Sequence, residues 1–369
     1  MVSSSVCIAT SISDTGRKGE RGMTQMDIFS YLYFDYKITK PIRLIELFAG
    51  VGSQAMALRD LGANFTHHRV VEIDPFAMKS YNAIHGTSFE PMDITTVTAA
   101  DLGITDKDKY EYIITYSFPC QDLSLAGKGK GMEKGSGTRS SLLWKVERIL
   151  FELKERNALP QVLLMENVPD VIGTKNYPHF MKWYASLERM GYQSYYKLLN
   201  AKDYGVPQSR NRCFMVSILG NYSYTFPNPI PLEKRLWDVL ESEVDERYYL
   251  SDKAIAYLFD DKDRGGMVRA KRVKLKNKDS ILADTVTTMQ HGYSPFDNFI
   301  IHSNGFNKRI RKFTPFECWR LMDFTDEDFY KAQAVNSNTQ LYKQAGNGIV
   351  KAVLMAIFRQ LLGKGWYDG

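Results

Sequence analysis

The stretch PIRLIELFAGVGSQAMALRDLG, residues 41–62, contains a strand, a glycine turn and a helix in direct succession. The apolar run at 41–50 predicts a short buried strand. Gly50 and Gly52 predict the turn, and the Ala, Met and Leu spacing that follows predicts a helix that Gly62 ends. This order of elements is typical of a site that binds a nucleotide or nucleoside at a helix N-terminus.

The same alternation of strand and helix continues along the next hundred residues. Between the predicted strands lie helical segments such as SSLLWKVERILFELKER at 140–156. We therefore predict an α/β fold with a doubly wound, mostly parallel sheet. The further predicted strands are THHRVVEID (66–74), SFEPMDIT (88–95), KYEYIITYS (109–117) and PQVLLMENV (160–168).

A polar or otherwise unusual residue stands at the carboxyl end of each predicted strand. These five residues are Gly50, Glu72, Asp93, Cys120 and Glu166. Packing hardly explains such a set, whereas ligands of this architecture bind at the carboxyl ends of the strands. The sequence therefore predicts one functional site along this edge.

Composition and charge permit several kinds of partner. The chain has 369 residues, 44% hydrophobic and 24% charged, with a formal charge of +6, which is normal for a globular protein and allows an acidic partner. No apolar run reaches transmembrane length. The four cysteines, Cys7, Cys120, Cys213 and Cys318, form no CxxC pair and predict neither a metal site nor a disulfide framework.

The organisation along the chain suggests four segments. Residues 1–40 lack a secretory apolar stretch, and we interpret them as an N-terminal leader, partly disordered. Residues 41–220 form the α/β domain, 221–310 a smaller irregular domain with Pro-rich turns, and 311–369 a segment that returns to the first domain. The basic stretch at 262–278 carries eight Lys and Arg against one Asp, which is typical of a solvated loop or of a nucleic-acid contact.

The residues around the glycine turn favour a nucleoside ligand. Glu72 can accept hydrogen bonds from both hydroxyls of a ribose, Asp93 from an adenine amino group, and Phe48 can lie against the adenine. A third glycine and a phosphate-binding lysine are missing, which favours a ligand without a pyrophosphate, such as S-adenosylmethionine. A simple tight turn is the alternative.

Cys120 and Glu166 are the candidate catalytic pair. Cys120 follows a proline at a strand end and precedes the glycine-rich loop AGKGKGMEKGSGTR at 126–139, which is typical of an exposed nucleophile. The alternatives are a buried structural thiol and a structural salt bridge of Glu166. In YGVPQSRNRCFMVS, residues 204–217, an extended chain would place Gln208, Arg210 and Arg212 on one face, as an anion clamp, a donor to a carbonyl group or a solvated basic edge.

Taken together and in order, these motifs resemble those of the cytosine-5 DNA methyltransferases over residues 41–362. The matching stretches are LFAGVG, VVEID, MDIT, FPCQDLS, TRSSLLW, MENV, PQSRNR, RKFTPFECWRLMDF and QAGNGIV. The last departs from the family, which usually has a serine after the asparagine and a proline further on. Because all the motifs occur in sequence, the resemblance is specific.

The resemblance implies a fold, a cofactor, a partner and a set of site residues. It implies the fold of S-adenosylmethionine-dependent methyltransferases with a target-recognition domain at 221–310, S-adenosylmethionine as cofactor and S-adenosylhomocysteine as product. The cofactor pocket would be lined by Phe48, Gly50, Gly52, Glu72, Ile73, Asp93, Ile94, Pro119 and Asn347.

The chemistry implied is attack by the Cys120 thiol on carbon-6 of a flipped-out cytosine. Glu166 would donate to N3, Arg212 to O2, and Arg210 would bind the nearby DNA phosphate. The DNA contacts would be Gln121, Ser124, Arg139 and Arg210, with the loop at 125–139 closing over the backbone. The partner would be double-stranded DNA, bound by a monomer in the cytoplasm of a bacterial or phage-infected cell, with no membrane.

Three other functions are compatible with parts of the pattern. A tRNA cytosine-5 methylase would share the motifs, although the Cys-Phe-Thr run of that group is missing from residues 221–310. An inactive DNA-binding scaffold would not need Cys120, Glu166 and Arg212. A thiol hydrolase using Cys120 with His85 or His179 would leave the glycine turn unexplained.

Overall fold

The computed structural model of the protein describes residues 34–120, 123, 131–260, 273–290, 292, 294, 297–304 and 307–364. The predicted leader at 1–40 therefore lies mostly outside the described residues, as do residues 262–272 of the basic stretch. The domain boundaries stay predictions.

A six-stranded sheet forms the centre of the molecule, in the order β3-β2-β4-β5-β8-β6. The first four strands are parallel, and β8 is antiparallel to both β5 and β6. This arrangement confirms the predicted α/β class with a mostly parallel sheet. The strands are β2 (Ile42–Leu47), β3 (Phe65–Val71), β4 (Glu111–Tyr116), β5 (Val162–Asn167), β6 (Tyr192–Asn200) and β8 (Asn211–Leu219).

The central strands of the sheet are buried on both faces, because alternate residues of these strands enter different cores. In β5, for example, Val162 and Leu164 belong to one core, and Leu163 and Met165 to the other. The described residues form ten α-helices. They are α1 (Ser53–Asp60), α2 (Pro75–His85), α3 (Ala99–Leu102), α4 (Leu143–Glu155), α5 (Tyr177–Met190), α6 (Asp252–Leu258), α7 (Pro315–Arg320), α8 (Asp326–Gln333), α9 (Asn338–Asn347) and α10 (Lys351–Leu362).

The segment at 88–95 is not the strand that its sequence predicts. It follows α2 as an irregular turn in which Thr95 N–H donates to Asp93 Oδ1 at 2.8 Å. Pro91 has no N–H for a ladder, and Met92 N–H donates to Glu72 O, just past the end of β3, at 2.8 Å. The prediction of a strand was wrong, although the turn still brings Asp93 beside the end of β3.

Residues 221–310 contain short elements, as predicted. A three-stranded sheet has the order β10-β12-β13, and β11 pairs in parallel with β7. The small strands of the molecule are β1 (Phe34–Asp35), β7 (Gln208–Ser209), β9 (Tyr222–Ser223), β10 (Lys274–Lys276), β11 (Ala283–Asp284), β12 (Asn298–Asn304) and β13 (Asn307–Lys312).

The C-terminal segment packs back onto the first strand–helix unit. Helix α10 lies against α1, and residues of both helices share one apolar core. Lys351 at the start of α10 donates to Asp60 at 2.6 Å, and Ile349 N–H donates to Ser53 Oγ at 3.3 Å. Residues 343–349 are thereby held over the carboxyl edge of the sheet.

Within the described part of the chain, no single helix is long and apolar enough to cross a membrane. Helices α9 and α10 would pass that test of length and composition only as a pair, which is bent by 41°.

Candidate active site

A cavity of about 320 Å³ opens at the carboxyl ends of β2, β3, β4 and β5. Its walls come from the residues that follow these strands, from the start of β8 and from residues 343–349, which is the location expected for ligands in this architecture. The structure brings most of the predicted site residues together here. Those that line the cavity are Phe48, Gly50, Glu72, Ile73, Asp93, Ile94, Pro119, Cys120, Arg139, Glu166, Arg210, Arg212 and Asn347.

The glycine turn adopts the left-handed backbone that its sequence suggests. Phe48, Gly50 and Gly52 have φ values of 59°, 57° and 82°. Gly50 N–H donates to Glu72 Oε2 at 2.9 Å, so the turn is tied to the end of β3. The first glycine therefore shapes the cavity.

Gly52 is not among the residues that line the cavity, and its contact with the cofactor stays a prediction. It faces α2, where an added Cβ would stand 2.3 Å from His85 Nε2 and 2.7 Å from Tyr81 Cε2. Glycine is needed at this position because the turn packs against two rings behind the cavity and has a positive φ.

Glu72 is held in one orientation by the backbone. Gly50 N–H donates to one oxygen of its carboxylate, and Asp74 N–H donates to the other, Oε1, at 2.8 Å. Burial raises the pKa of this carboxyl group, and the two backbone N–H groups oppose that shift. Each oxygen keeps a second lone pair, so the carboxylate can still accept from a diol in the cavity.

The remaining residues of this half of the cavity differ in exposure. Ile73 is 64% exposed and forms the rim, whereas Ile94 is buried. Asn347 is exposed on the opposite wall, where Lys343 donates to Asp74 at 2.6 Å. The apolar side chains of Phe48, Ile73 and Ile94 line this half of the cavity together with the carboxylates of Glu72 and Asp93. Because carboxylates repel phosphate groups, this lining fits an adenosine better than a polyphosphate.

Cys120 lies half-buried on the cavity wall, and two side chains fix the backbone just before it. Asn167 Nδ2 donates to Phe118 O at 2.9 Å, and Ser140 Oγ donates to Pro119 O at 2.7 Å. Neither residue has a role among those predicted from the sequence. In the sequence, only their positions inside the motifs MENV and TRSSLLW indicate a functional role.

Glu166 and Arg212 form the polar part of the wall near Cys120. Arg212 Nε lies 3.2 Å from Glu166 Oε1, and their side chains are only 16% and 10% exposed. Burial raises the pKa of Glu166, although Arg212 and Arg210 lower it. The site thus combines a carboxyl group that holds its proton more tightly with a fixed guanidinium donor.

The thiol of Cys120 is not activated by this environment. Burial raises its pKa and the charge of Glu166 raises it further, while Arg212 and Arg210 act in the opposite direction. A nucleophilic cysteine usually has a lowered pKa, so Cys120 departs from that pattern. The thiol keeps its proton at neutral pH and must lose it during the reaction.

Arg210 lies inside the protein and not on a DNA-facing surface. It is 3% exposed, and its guanidinium donates to Val286 O at 2.9 Å and to Gly346 O and Gly348 O at 2.8 Å each. These bonds argue against the predicted contact with a phosphate, because the terminal nitrogens already satisfy three backbone carbonyls. Gln208 is buried as well, and its Nε2 donates to Leu321 O at 2.6 Å.

The predicted DNA contacts are described only in part. Gln121 and Ser124 lie outside the described residues, as do Lys128 and Lys130 of the glycine-rich loop. Arg139 begins a 3-10 helix at the cavity wall. Lys134, in contrast, pairs with Glu147 and lies 5.2 Å from the Trp144 ring centre, away from the cavity.

The cavity contains no histidine among its lining residues, all of which belong to the described chain. His85 Nε2 lies 3.1 Å from Val51 O behind the glycine turn, and His179 lines a separate surface cavity. The proposed partners of a thiol hydrolase are therefore not beside Cys120.

Comparisons with known proteins agree with this geometry. A family model described as C-5 cytosine-specific DNA methylase matches residues 42–363. The chain is 34% identical to the type II methyltransferase M2.ScrFI of Lactococcus lactis subsp. cremoris, with 87% of this chain and 99% of that protein covered. It is 33% identical to the type II methyltransferase M.NlaX of Neisseria lactamica, with 86% and 96% covered.

Solved structures share the fold at lower identity. S. pombe Dnmt2 methyltransferase has a TM-score of 0.69 at 22% identity, covering 87% of this chain and 98% of that one. The Entamoeba histolytica methyltransferase EhMeth has a TM-score of 0.71 at 18% identity, covering 88% and 99%. These likenesses confirm the predicted methyltransferase fold.

Proposed function

The chain belongs to the family of C-5 cytosine-specific DNA methylases, and we propose that it methylates carbon-5 of a flipped-out cytosine in double-stranded DNA through a transient Cys120–C6 bond. It is a DNA (cytosine-5-)-methyltransferase. The observation that carries the proposal is the position of Cys120, Glu166 and Arg212 on the wall of one cavity whose other half is built around the glycine turn.

S-adenosylmethionine fits the half of the cavity that lies around Glu72. Glu72 would accept from the ribose hydroxyls, Asp93 would face the adenine amino group, and Phe48, Ile73 and Ile94 would line the adenine. The cofactor supplies an electrophilic methyl group when bound and is released as S-adenosylhomocysteine. Pro119 and Asn347 border the same space.

The covalent step makes carbon-5 nucleophilic. The Cys120 thiol loses its proton, and its sulfur forms a bond to carbon-6. The electron pair of the C5–C6 double bond is displaced, and the ring takes up a proton at N3 from Glu166. After carbon-5 has gained the methyl group, a base removes the proton from carbon-5 and the C6–S bond breaks to regenerate the thiolate. N3 returns its proton to Glu166 as the aromatic ring reforms.

Arg212 and Glu166 would stabilise the charge that this addition builds on the ring. Arg212 would donate to O2, at the place where negative charge develops, and the Glu166 carboxyl would bind N3 and the amino group. The 3.2 Å contact between Arg212 and Glu166 keeps both donors in place before the base arrives. Preorganised donors of this kind contribute about 3 kcal/mol each.

Carbon-6 of a stacked cytosine is out of reach of a side chain, so the base must leave the helix. Arg139, at the edge of the cavity, is a candidate contact to the DNA backbone, and the same holds for Gln121 and Ser124 in the neighbouring loop. We expect one chain to act on each site as a monomer. The relatives named type II methyltransferases favour a modification methylase.

Methylation of tRNA is the second candidate, because tRNA methylases of this type share the motifs and one similar structure is a Dnmt2 methyltransferase. The experiment is transfer of a labelled methyl group to duplex DNA and to tRNA in parallel assays. We expect label on DNA only, and Cys120→Ser should abolish it. Label on tRNA with unlabelled DNA would contradict the proposal, and no label on either would favour an inactive scaffold.

A further inference from the structure

The segment at 207–210, which precedes β8, is the docking point of the chain at 283–286. Ala283 N–H donates to Pro207 O at 2.9 Å, and β11 pairs with β7 in parallel. Val286 N–H donates to Gln208 Oε1 at 2.9 Å. The start of the turn at 286–290 is therefore fixed to the segment that leads into β8, the strand that carries Arg212.

Arg210 joins this turn to the C-terminal segment. One terminal nitrogen of its guanidinium donates to Val286 O, and the other donates to both Gly346 O and Gly348 O. A planar fork of donors holds two acceptors in a fixed relative position, which a single ammonium group does not. One buried side chain thus connects two segments that are 60 residues apart in sequence.

The same two segments also touch directly. A Cβ atom added to Gly346 would stand 2.3 Å from Thr288 N and 2.5 Å from the carbonyl carbon of Thr287. Only a glycine permits this approach of the two backbones. A displacement of residues 346–348 is therefore transmitted to residues 286–288 both by contact and through Arg210.

The two segments that Arg210 connects face different proposed ligands. Asn347 borders the half of the cavity that fits the cofactor. The turn at 286–290 presents Met289, which is 56% exposed, from the region that we propose to read DNA. Gln290 braces the turn, because its Nε2 donates to Asn298 O at 2.8 Å and its Oε1 accepts from Asn298 N–H at 3.2 Å.

We propose that Arg210 is a positioning residue that couples cofactor binding to DNA binding. The inference rests on the proposed function. A cofactor that orders residues 346–348 fixes Arg210, and Arg210 fixes the turn that carries Met289 against the DNA. Linkage then requires that DNA raises the affinity for the cofactor by the same factor.

The test measures that factor in both directions. DNA affinity is measured by fluorescence anisotropy with and without S-adenosylhomocysteine, and S-adenosylhomocysteine affinity by calorimetry with and without DNA. We expect each ligand to tighten the other about tenfold in the wild type. In Arg210→Lys, which keeps the charge and loses the fork, both ratios should fall to within about twofold of one.

Arg59→Lys is the matched control. Arg59 also forms a fork, donating to both oxygens of Asp328 at 2.7 and 2.8 Å, but it joins α1 to α8 and does not line the cavity. Arg59→Lys should lower stability and keep the tenfold ratio. The proposal would be overturned if the tenfold effect of one ligand on the affinity for the other disappeared in both variants, or if it persisted in Arg210→Lys.

A measurement on the wild type covers the case in which Arg210→Lys does not fold. Hydrogen exchange should show that S-adenosylhomocysteine alone protects residues 286–290, and that DNA alone protects residues 346–349. Unchanged exchange at the distant segment would reject the coupling. Failure of the proposed function would look different, because the wild type would then bind neither ligand or transfer no methyl group to DNA.

Discussion

Cys120 illustrates how a nucleophile can be prepared without a low pKa. Burial and the neighbouring carboxyl group of Glu166 raise the pKa of the thiol, and burial also raises the pKa of Glu166. Both shifts favour the uncharged forms, because ionising two neighbouring acidic groups away from water is costly. The thiolate and the protonated acid must coexist only while the base is attacked.

The two raised pKa values predict how the rate depends on pH. A rising pH helps Cys120 to lose its proton, and above the pKa of Glu166 it removes the proton that the ring needs. Wild-type adduct formation should therefore fall at both the acid and the alkaline end. In Glu166→Gln the rate should be at least about 100-fold lower and rise with pH without an alkaline fall.

Initial rates of adduct formation on 5-fluorocytosine DNA, from about pH 5 to 10, measure this profile. Glu147→Gln is the control, because Glu147 is also buried but pairs with Lys134 outside the cavity. Its profile should match that of the wild type. An alkaline fall that persists in Glu166→Gln would show that another group supplies the proton.

At the scale of elements, neighbouring residues at the end of β5 have separate tasks. Glu166 faces the cavity with Arg212, and Asn167 donates to Phe118 O in the segment that ends at Cys120. Successive residues of a strand point to opposite sides, so one strand end can supply both a reacting group and the support of its partner.

Asn167→Leu should therefore impair catalysis more than binding. The change keeps roughly the same volume and removes the bond that orients the backbone before Cys120. We expect kcat to fall by about 100-fold, with the affinities for DNA and S-adenosylhomocysteine changed by less than about threefold. Single-turnover kinetics and equilibrium binding measure the two effects.

Gln161→Met is the matched control at the opposite end of the same strands. Gln161 Nε2 donates to Tyr110 O at 3.0 Å, and its Oε1 accepts from Tyr112 N–H at 2.9 Å. Both variants should lose about 1–3 kcal/mol of stability, since each leaves buried backbone groups unpaired. Equal loss of kcat in both would mean that Asn167 acts only through general stability.

The elements that the sequence predicts correctly are those whose signal is local. β2, β4 and β5 are apolar runs that end in a turn or a proline, and periodicity identifies them without knowledge of the fold. The segment at 88–95 was predicted as a strand end from the alternation along the chain, whereas Pro91 lacks an N–H and the segment pairs with no strand, so that it forms a turn. The sequence also does not predict the ring neighbours of Gly52, since they come from α2.

At the scale of the whole molecule, the cavity depends on contacts between distant parts of the chain. Its walls run from Phe48 to Ile349, and ion pairs such as Lys351 with Asp60 hold the C-terminal segment in place. The sequence could predict that Arg210 is important from its motif. Its three carbonyl acceptors, however, lie 76 to 138 residues away and depend on how the segments dock.

The free energy of unfolding should depend on pH through the titration of one buried carboxyl group behind the cavity. Glu46 is fully buried at the end of β2, Tyr81 O–H donates to its Oε2 at 2.5 Å, and burial raises its pKa to about 7. The folded state therefore binds a proton between about pH 4.5 and 7 that the unfolded state has lost. The contribution of Glu46 is most favourable at low pH and is lost as the pH rises to about 7.

Glu46→Gln removes this titration. We compare the free energy of unfolding of the variant minus that of the wild type at two pH values. This difference should be more favourable to the variant at about pH 8 than at about pH 5, by on the order of 2 kcal/mol. Urea unfolding at the two pH values measures it, with the exposed Glu155→Gln as control. A difference between variant and wild type that is the same at both pH values would contradict the assignment.

The most direct test of the central claim is covalent trapping on DNA that carries 5-fluorocytosine. With S-adenosylmethionine present, the wild type should form an adduct that survives denaturation, and mass spectrometry should locate it at Cys120. Cys213→Ser, which changes a buried thiol of β8, should still form the adduct. Cys120→Ser should bind the DNA and form none, whereas an adduct in Cys120→Ser, or methyl transfer by that variant at the wild-type rate, would contradict the account.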